Sequence, residues 1–507
     1  MREIYTVSMY VIGIDIGTQG TKTLVFDLEK ACVVAEASQS YDMIEGLPDG
    51  HREQDPSLWI KAVDDTIRDC VKQLGDDASL IAAIGVSGQQ HGLVVLDEDS
   101  NIIRPAKLWC DTSTSEQCEE ITRAFGGTPG LIELAGNPML PGYTAPKILW
   151  IKQNEPQNFE KIRTVLLPHD FINYWLTGIK RMEPGDASGT GLLDVRKREW
   201  CKELIDFIDP RLSEALPEIG SSTDAIGPIR PELAEAWGLN SQVLISAGGG
   251  DNMMGAIGTG NVSSGQVTVS LGTSGTIYGV HDQPLIDPQG EVAAFCDSAG
   301  QWLPLVCTMN ATVVTEAVRE HYNWDHERME KEVAAAPIGS EGVLMLPYLQ
   351  GERTPSLPEG CGVIHGLNLD NYKDSNIMRA AMEGVSLSIG YGMLRLCELG
   401  FNPTEVRVTG GGSKSPVWRQ MISDVLGLPL VKLKTDEGAA LGAALQAAVA
   451  FFRKNGEDLS YQEIVSYAVA PDPDTECEPN EEAHLFYQEL LARQQYLVET
   501  LHMPGFL

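Results

Sequence analysis

The pattern Gly-Thr-x-Gly-Thr occurs twice in this chain of 507 residues, as Gly17-Thr18-Gln19-Gly20-Thr21 near the start and as Gly272-Thr273-Ser274-Gly275-Thr276 just past the middle. Each copy follows an apolar run (Tyr10 to Ile16; Val267 to Leu271) and precedes another β-prone one (Thr23 to Phe26; Thr276 to Val280). Strand, Gly/Thr turn and strand predict a hairpin. Glycine lets backbone N–H groups approach an anion closely, and threonine adds hydroxyl donors. Two such hairpins, one from each half-chain, would grip one polyphosphate from both sides. Either copy alone reads first as an ordinary tight hairpin; the duplication and its asymmetry point further. Asp15 stands two residues before Gly17, whereas Ser270 holds that place before Gly272, so only the first copy brings a carboxylate able to hold Mg2+.

The length favours more than one domain, and 43% hydrophobic with 21% charged residues is ordinary for a globular protein. A formal net charge of −34 argues against a nucleic-acid or anionic-membrane partner. It leaves room for an anionic substrate held in a local Gly-rich cradle. The 10 cysteines show neither a C-x-x-C pair nor zinc spacing and read as reduced thiols, and the 9 histidines form no ligand cluster. No apolar run is long enough to span a bilayer, and residues 1–20 lack a signal-peptide core, so the expectation is a cytoplasmic enzyme, with Met9 as an alternative start.

The first half opens with strand-like runs at Tyr10–Ile16, Thr23–Phe26 and Cys32–Ala35. Trp59, Val63, Ile67 and Val71 then recur at helical spacing, and the apolar runs Ile81–Val86 and Leu93–Leu96 follow. The second half repeats the theme, with helices predicted over Ala311–His321, Asn376–Leu399 and Gly438–Ala450 and a strand at Val406–Val408. Hairpins followed by alternating helix and strand predict α/β domains with mixed sheets. The Gly/Ala-rich helix Gly438–Ala450 invites close packing against neighbouring backbone. Domains are expected at 9–255 and 256–455. The acidic, Pro-containing stretch Pro471–Glu482 reads as a linker before a terminal helix at about Glu481–Leu501, so 456–507 is expected to be linker and helix.

The chemistry gathers in a few segments. After the strand Val243–Ser246 comes Ala-Gly-Gly-Gly-Asp-Asn, which places Asp251 where a glycine-rich strand end turns into a helix. A carboxylate there can accept a hydroxyl proton in phosphoryl transfer. It can also be a plain N-cap, but capping does not call for three preceding glycines. Thr409–Ser415 (Thr-Gly-Gly-Gly-Ser-Lys-Ser) joins a strand to a helix beginning near Pro416, suiting either a nucleotide or a structural turn. It has neither Walker A nor G-x-G-x-x-G spacing. Ser87-Gly88-Gln89-Gln90-His91-Gly92 suits hydroxyl recognition, although a lone histidine is commonly structural. Trp109 with Asp111 pairs an aromatic platform with a carboxylate, as at a sugar site or a half-buried strand end.

Together these segments resemble the FGGY family of carbohydrate kinases, whose members share the actin-like, ribonuclease-H-type ATPase fold. The resemblance is carried in family order by Gly13–Lys22, Ser87–Gly92, Gly142–Asn154, Gly248–Asp251, Gly272–Gly275, Gly362–Glu383, Thr409–Ser415 and Glu437–Gly442. It implies two such ATPase domains with a catalytic cleft between them and Mg-ATP as phosphoryl donor. It further implies that Asp15 organises Mg2+, that Gly17, Thr18, Gly272 and Thr273 hold phosphates, and that Gly411, Ser415 and Asn310 lie by the nucleotide. Asp251 becomes the general base, with Gln90 and His91 as sugar contacts and Trp109, Asp111 and Asn252 beside them. The Gln90-His91 pair departs from the Arg-Glu of glycerol-type members and points to a ketose, with D-xylulose leading and ribulose or ribitol as alternatives. Ser113 stands where many relatives carry arginine. The expected partner is a small sugar, with a homodimer left open as the assembly. A nucleotide-driven binding clamp on the same fold, or a silent sugar-binding protein, would have no use for Asp251 as a hydroxyl acceptor.

Overall fold

The computed structural model describes residues 8–434, 438–503 and 505–507. Two mixed sheets carry the chain. In the first, the hairpin Tyr10–Ile16/Gly20–Asp27 is extended on one side by Cys32–Ser40 and on the other by Ile81–Gly88, Leu244–Ser246 and Ala225–Pro228. In the second, the hairpin Gln266–Leu271/Gly275–Gly279 is flanked by Trp302–Thr308 and Ala293–Cys296 on one side and by Glu405–Thr409, Leu430–Leu433 and Pro471–Cys477 on the other. The first strand of each hairpin pairs antiparallel with its turn partner and parallel with the next strand inward.

The registers show that the repetition extends through the sheets. Asp15 lies opposite Lys22 and Ser87, while Ser270 lies opposite Thr276 and Thr409. Both central strands are mainly apolar because both faces are covered. In Tyr10–Ile16 the single half-exposed residue is Asp15, and in Gln266–Leu271 Ser270 is likewise half-exposed.

Between the sheets, helix Asp251–Gly258 packs on helix Gly438–Lys454. The second of these comes late in the chain, yet it lies on the first sheet, against Tyr10–Ile16 and Ile81–Gly88. The expected close approach is real: a Cβ on Gly442 would fall 1.8 Å from Met254 O, and one on Gly258 would fall 1.8 Å from Gly438 O. Glu437, part of one segment singled out above, lies outside the described residues.

The stretch read as an acidic linker is corrected. Pro471–Cys477 is the edge strand of the second sheet, antiparallel to Leu430–Leu433. An edge strand needs only one row of ladder partners, so it tolerates prolines and keeps its acidic side chains in solvent. The terminal helix Glu481–His502 packs on the second core, where Tyr487 donates to Glu383 Oε1 at 2.9 Å and accepts from Arg379 Nη2 at 3.1 Å. The edge strand and the terminal helix are thus packed with the second sheet, whereas Leu459, Tyr461, Ile464 and Val465 share a core with Met9, Val11 and Leu24 of the first. Among the described residues no helix is long and apolar enough to cross a membrane.

Candidate active site

Strand Gly249–Gly250 runs parallel to the end of Ile81–Gly88 and turns directly into helix Asp251–Gly258. The glycines are demanded by contact: a Cβ on Gly248 would meet Val86 O at 2.5 Å, and one on Gly250 would meet Gln90 Cγ at 2.6 Å. Asp251 therefore starts its helix pressed against the Gln90-His91 loop. Its Oδ1 accepts from Asn252 N (2.8 Å) and Asn252 Nδ2 (3.0 Å), and the residue before it, Gly250, is the N-cap. The carboxylate is thus not spent on capping. Burial, reinforced by the negative charges of Asp15 and Asp186, pushes its pKa up to about 7.

A cavity of about 260 Å³ opens in front of Asp251 and is lined by Gln90, His91, Trp109, Tyr143, Asn252 and Phe295, among others. Asn252 Nδ2 donates to Gln90 Oε1 at 2.8 Å, whereas Gln90 Nε2 is buried with no hydrogen-bond partner. A buried donor without a partner is costly, so this one is positioned for a ligand oxygen. His91 adopts φ 63°, and its ring packs on Tyr143 (centroids 5.0 Å apart) and Phe295 (5.7 Å). Burial, with the cations Lys147 and Arg353 nearby, holds the imidazole well below its usual pKa and so neutral. Its backbone carbonyl is fixed by Lys147 Nζ (2.8 Å) and Thr144 Oγ1 (3.1 Å).

On the far wall Ser270, Gly272, Ser274 and Thr276 bring the second hairpin to the same cavity. The Gly272 and Thr273 carbonyls accept from Thr312 N (2.9 Å) and Ala311 N (3.1 Å), anchoring that turn to the start of helix Thr312–His321. In the first hairpin Gly17 N closes the turn onto Gly20 O at 2.9 Å. Thr18 Oγ1 accepts from Trp109 Nε1 at 2.9 Å and donates to Gln89 Oε1 at 3.1 Å, which couples the hairpin to the cavity wall. Asp15 accepts from Ser87 Oγ at 2.8 Å. Asp15 and Asp251 sit close enough for the charge of one to oppose ionisation of the other. An all-oxygen donor set with excess negative charge suits a hard divalent cation, so the residues present fit Mg2+ at Asp15.

Three expected contacts take other places. Asp111 is fully buried and does not line the cavity. Its carboxylate accepts from Lys107 Nζ (3.1 Å), Ser113 Oγ (2.6 Å) and Arg52 N (2.8 Å). Burial alone would raise its pKa, but these donors hold it below the usual range. With His51 and Glu53 it has the spacing of a metal site. Lys107 Nζ already fills that place, 3.1 Å from Glu53 and 3.3 Å from His51 Nδ1. Asn310 is equally committed: its Nδ2 donates to Gly351 O (2.6 Å) and Glu352 Oε2 (3.0 Å), and its Oδ1 accepts from Gln350 N (3.3 Å). It braces the loop at 350–353. Ser415 is the N-cap of helix Pro416–Leu426, accepting from Trp418 N at 3.0 Å and donating to Glu330 Oε2 at 2.6 Å. Gly411, by contrast, faces open space.

Sequence reasoning missed the aromatic wall of Tyr143 and Phe295, and it missed Arg353. It also missed the buried ion group behind the floor, where His169 lies 2.9 Å from both Asp170 Oδ1 and Asp186 Oδ2. Burial alone would lower the pKa of His169, yet the two carboxylates raise it well above its usual value, so it stands as a cation beneath the glycines. The only local signal for Arg353 is a charged pair, Glu352-Arg353, inside Gly-Glu-Arg-Thr-Pro.

Residues 10–258 match the N-terminal domain of the FGGY family of carbohydrate kinases, and residues 267–451 match its C-terminal domain. The chain is 43% identical over 452 residues to a xylulose kinase of Haemophilus influenzae, covering 88% of this chain and 91% of that one. It is 35% identical to a xylulose kinase of Bacillus subtilis, covering 87% and 88%. Among solved structures it superposes on a "xyloylose kinase" of Brucella ovis with TM-score 0.91 and 32% identity, over 98% of this chain and 100% of that one. A ligand-bound xylulose kinase of Lactobacillus acidophilus gives TM-score 0.90 and 27% identity, over 97% and 98%. Paired Gly/Thr hairpins, an acid on the cavity wall and both domain matches thus converge: the chain belongs to the FGGY family of carbohydrate kinases, with the two-domain fold of the actin-like ATPase type.

Proposed function

We propose that this chain transfers the γ-phosphoryl group of ATP to the terminal hydroxyl of D-xylulose, giving D-xylulose 5-phosphate in the cytoplasm. The observation that carries the reading is Asp251, a carboxylate with a pKa of about 7 on the wall of a cavity shared by Gln90, His91 and the second phosphate hairpin. A base poised near neutrality accepts a hydroxyl proton at working pH without being fully protonated beforehand. The xylulose kinases among its relatives supply the substrate class.

The residues divide the task. Gln90 Nε2 and the neutral His91 ring offer hydrogen bonds to sugar oxygens, while Trp109 and Tyr143 exclude water from its carbon skeleton. The hairpins at Gly17-Thr18 and Gly272-Thr273 hold the triphosphate on opposite sides of the cleft. Gly411 leaves room for the nucleoside end. A divalent cation bound at Asp15 supplies charge neutralisation for the phosphates. Asp251 then takes the proton of the attacking hydroxyl as the oxygen–phosphorus bond forms, and ADP leaves in line.

An ADP-release screen across pentuloses, hexuloses and polyols tests the reading, with D-xylulose expected to give the highest kcat/KM. Release that is independent of sugar would overturn the kinase reading, and a better rate with ribulose or ribitol would overturn the substrate.

A further inference from the structure

The two Gly-Thr-x-Gly-Thr patterns part company at their second threonine. In the first hairpin Ile16 pairs with Thr21 and Asp15 with Lys22; in the second Leu271 pairs with Gly275 and Ser270 with Thr276. The second turn thus closes one residue earlier, and a shift of one residue sends a side chain to the other face of the sheet. Thr21 is buried, with its hydroxyl 3.1 Å from Tyr41 Oη. Thr276 instead takes the place that Lys22 holds opposite Asp15, half-buried on the cavity wall. Its Oγ1 is buried with no hydrogen-bond partner among the described residues. An orphaned hydroxyl is costly, and rotation about χ1 exchanges it with the methyl group, so a ligand in the cavity can complete it.

The registers fix where that hydroxyl stands. Cross-strand partners share a face, so Thr409, Ser270, Thr276 and Cys307 form one row across four strands. The last three of these line the cavity. At one end of the row the chain leaves Thr409 for the open turn at Gly411. Beyond the other end, strand Ala293–Cys296 carries Phe295, which packs on His91. Thr276 therefore lies between the nucleotide side and the sugar side. Tyr278, two residues on and on the same face, sets the distance to the opposite wall: a Cβ on Gly255 would fall 2.9 Å from its Oη. Two residues back along the strand is about 7 Å, and four back along the helix is about 6 Å. Thr276 thus stands level with Asp251 across the cavity that both residues line.

We propose that Thr276 is a catalytic residue of the transfer step, its hydroxyl donating a hydrogen bond to a non-bridging oxygen of the γ-phosphoryl group as that group passes to the sugar. The inference rests on the kinase reading above. The new bond joins the terminal sugar oxygen to phosphorus, the bond from phosphorus to the ADP oxygen breaks, and the hydroxyl proton goes to Asp251. Thr276 keeps its own proton throughout. A donor fixed where charge develops favours the transition state over bound ATP or bound sugar.

The test compares Thr276→Val, which keeps the branched shape and removes the hydroxyl, with Thr276→Ser, which keeps the hydroxyl. Turnover is read by ADP release at saturating D-xylulose, sugar and ATP affinities by calorimetry, and folding by thermal melting. Thr276→Val should lower kcat by about 10–100-fold and leave both affinities within about threefold of wild type. Thr276→Ser should keep kcat within about threefold. Should the valine variant melt early, Thr276→Ala and Thr276→Ser, which differ only in the hydroxyl, make the same comparison. Weaker D-xylulose binding at unchanged kcat would overturn the inference and give the hydroxyl to the sugar. Unchanged kcat in Thr276→Val, or an equal loss in Thr276→Ser, would overturn it outright. If wild type shows no D-xylulose-dependent ADP release, the kinase reading itself has failed, which is a separate result.

Discussion

Asp251→Asn should remove activity and stabilise the protein in one substitution. The native carboxyl sits at about 7 instead of the usual 3.8 because burial, Asp15 and Asp186 all oppose its ionisation. At about 1.36 kcal/mol per pH unit this amounts to roughly 4 kcal/mol, trimmed to roughly 2–4 by solvent entering the cavity. The sign follows from the raised value. Below pH 4 the acid is protonated whether folded or unfolded and imposes no penalty. As pH rises through 4 to 7 the unfolded chain ionises first, so the folded state loses stability, and above 7 the loss is complete. Asparagine keeps the acceptor for Asn252 N and carries no charge, so melting curves of variant and wild type should diverge in the variant's favour between pH 5 and 8. Turnover should fall by about 10²–10⁴, the contribution typical of a general base. In wild type kcat/KM should rise with pH along a limb one proton steep. Its midpoint lies below 7 once a cation at Asp15 removes one of the opposing charges, and above the ordinary carboxylate range because burial and Asp186 remain. A variant no more stable than wild type at pH 8, or a retained acidic limb at full rate, would refute this account of the site.

Other perturbations follow from the same contacts. Asp15→Asn should raise the Mg2+ concentration needed for half-maximal ADP release by tenfold or more, on the order of one lost charged ligand; a chelator should abolish turnover reversibly. Gly442→Ala drives a methyl group to 1.8 Å from Met254 O, so denaturant midpoints should report a loss of about 1–3 kcal/mol or more, with both helices between the sheets disturbed. Lys107→Met leaves Asp111 buried without its cation, while Glu53 keeps Arg104, and should cost about 3–5 kcal/mol. Because Trp109 stands between Lys107 and Asp111 in the chain and holds Thr18, that variant should also lose ATP affinity in a binding titration.

The parts of this molecule that were readable without coordinates are those fixed by local rules. Apolar runs of strand length around two Gly/Thr turns had no other economical solution, and helix Pro56–Leu74 follows from Trp59, Val63 and Ile67 on one buried stripe. The crowding of alanine and glycine in Gly438–Lys454 foretold close backbone contact, though not that the contact would be with the first sheet. What escaped depends on long-range partners. Pro471–Cys477 looks like a linker because an edge strand may be acidic and proline-bearing; its pairing is decided by the exposed ladder of Leu430–Leu433. Asp111, Asn310 and Ser415 have the right chemistry for a ligand, yet Lys107, Glu352 and Glu330 reach them first.

The matched registers explain where function had to be written. Asp15 and Ser270 occupy corresponding places beside parallel strands, as do Ser87 and Thr409. A duplicated backbone gives two corresponding turns, one lining the cavity and one tied to its wall through Thr18 and Trp109, and turns of one kind can grip phosphates but cannot by themselves distinguish donor from acceptor. The distinction must come from side chains that break the repetition. On one side Asp15, His169, Asp186 and Asp251 concentrate charge beneath the glycine floor and raise the pKa of Asp251, the proposed base. On the other, Ser270 is neutral, the turn after Glu405–Thr409 is left open at Gly411, and the loop braced by Asn310 delivers a cation, Arg353, back across the cleft. In the proposed reaction the direction of phosphoryl transfer would follow from the asymmetry of charge laid over a symmetric frame, and exchanging Asp15 with Ser270 should not yield an enzyme working in mirror image, because the tuned acid exists on one side alone.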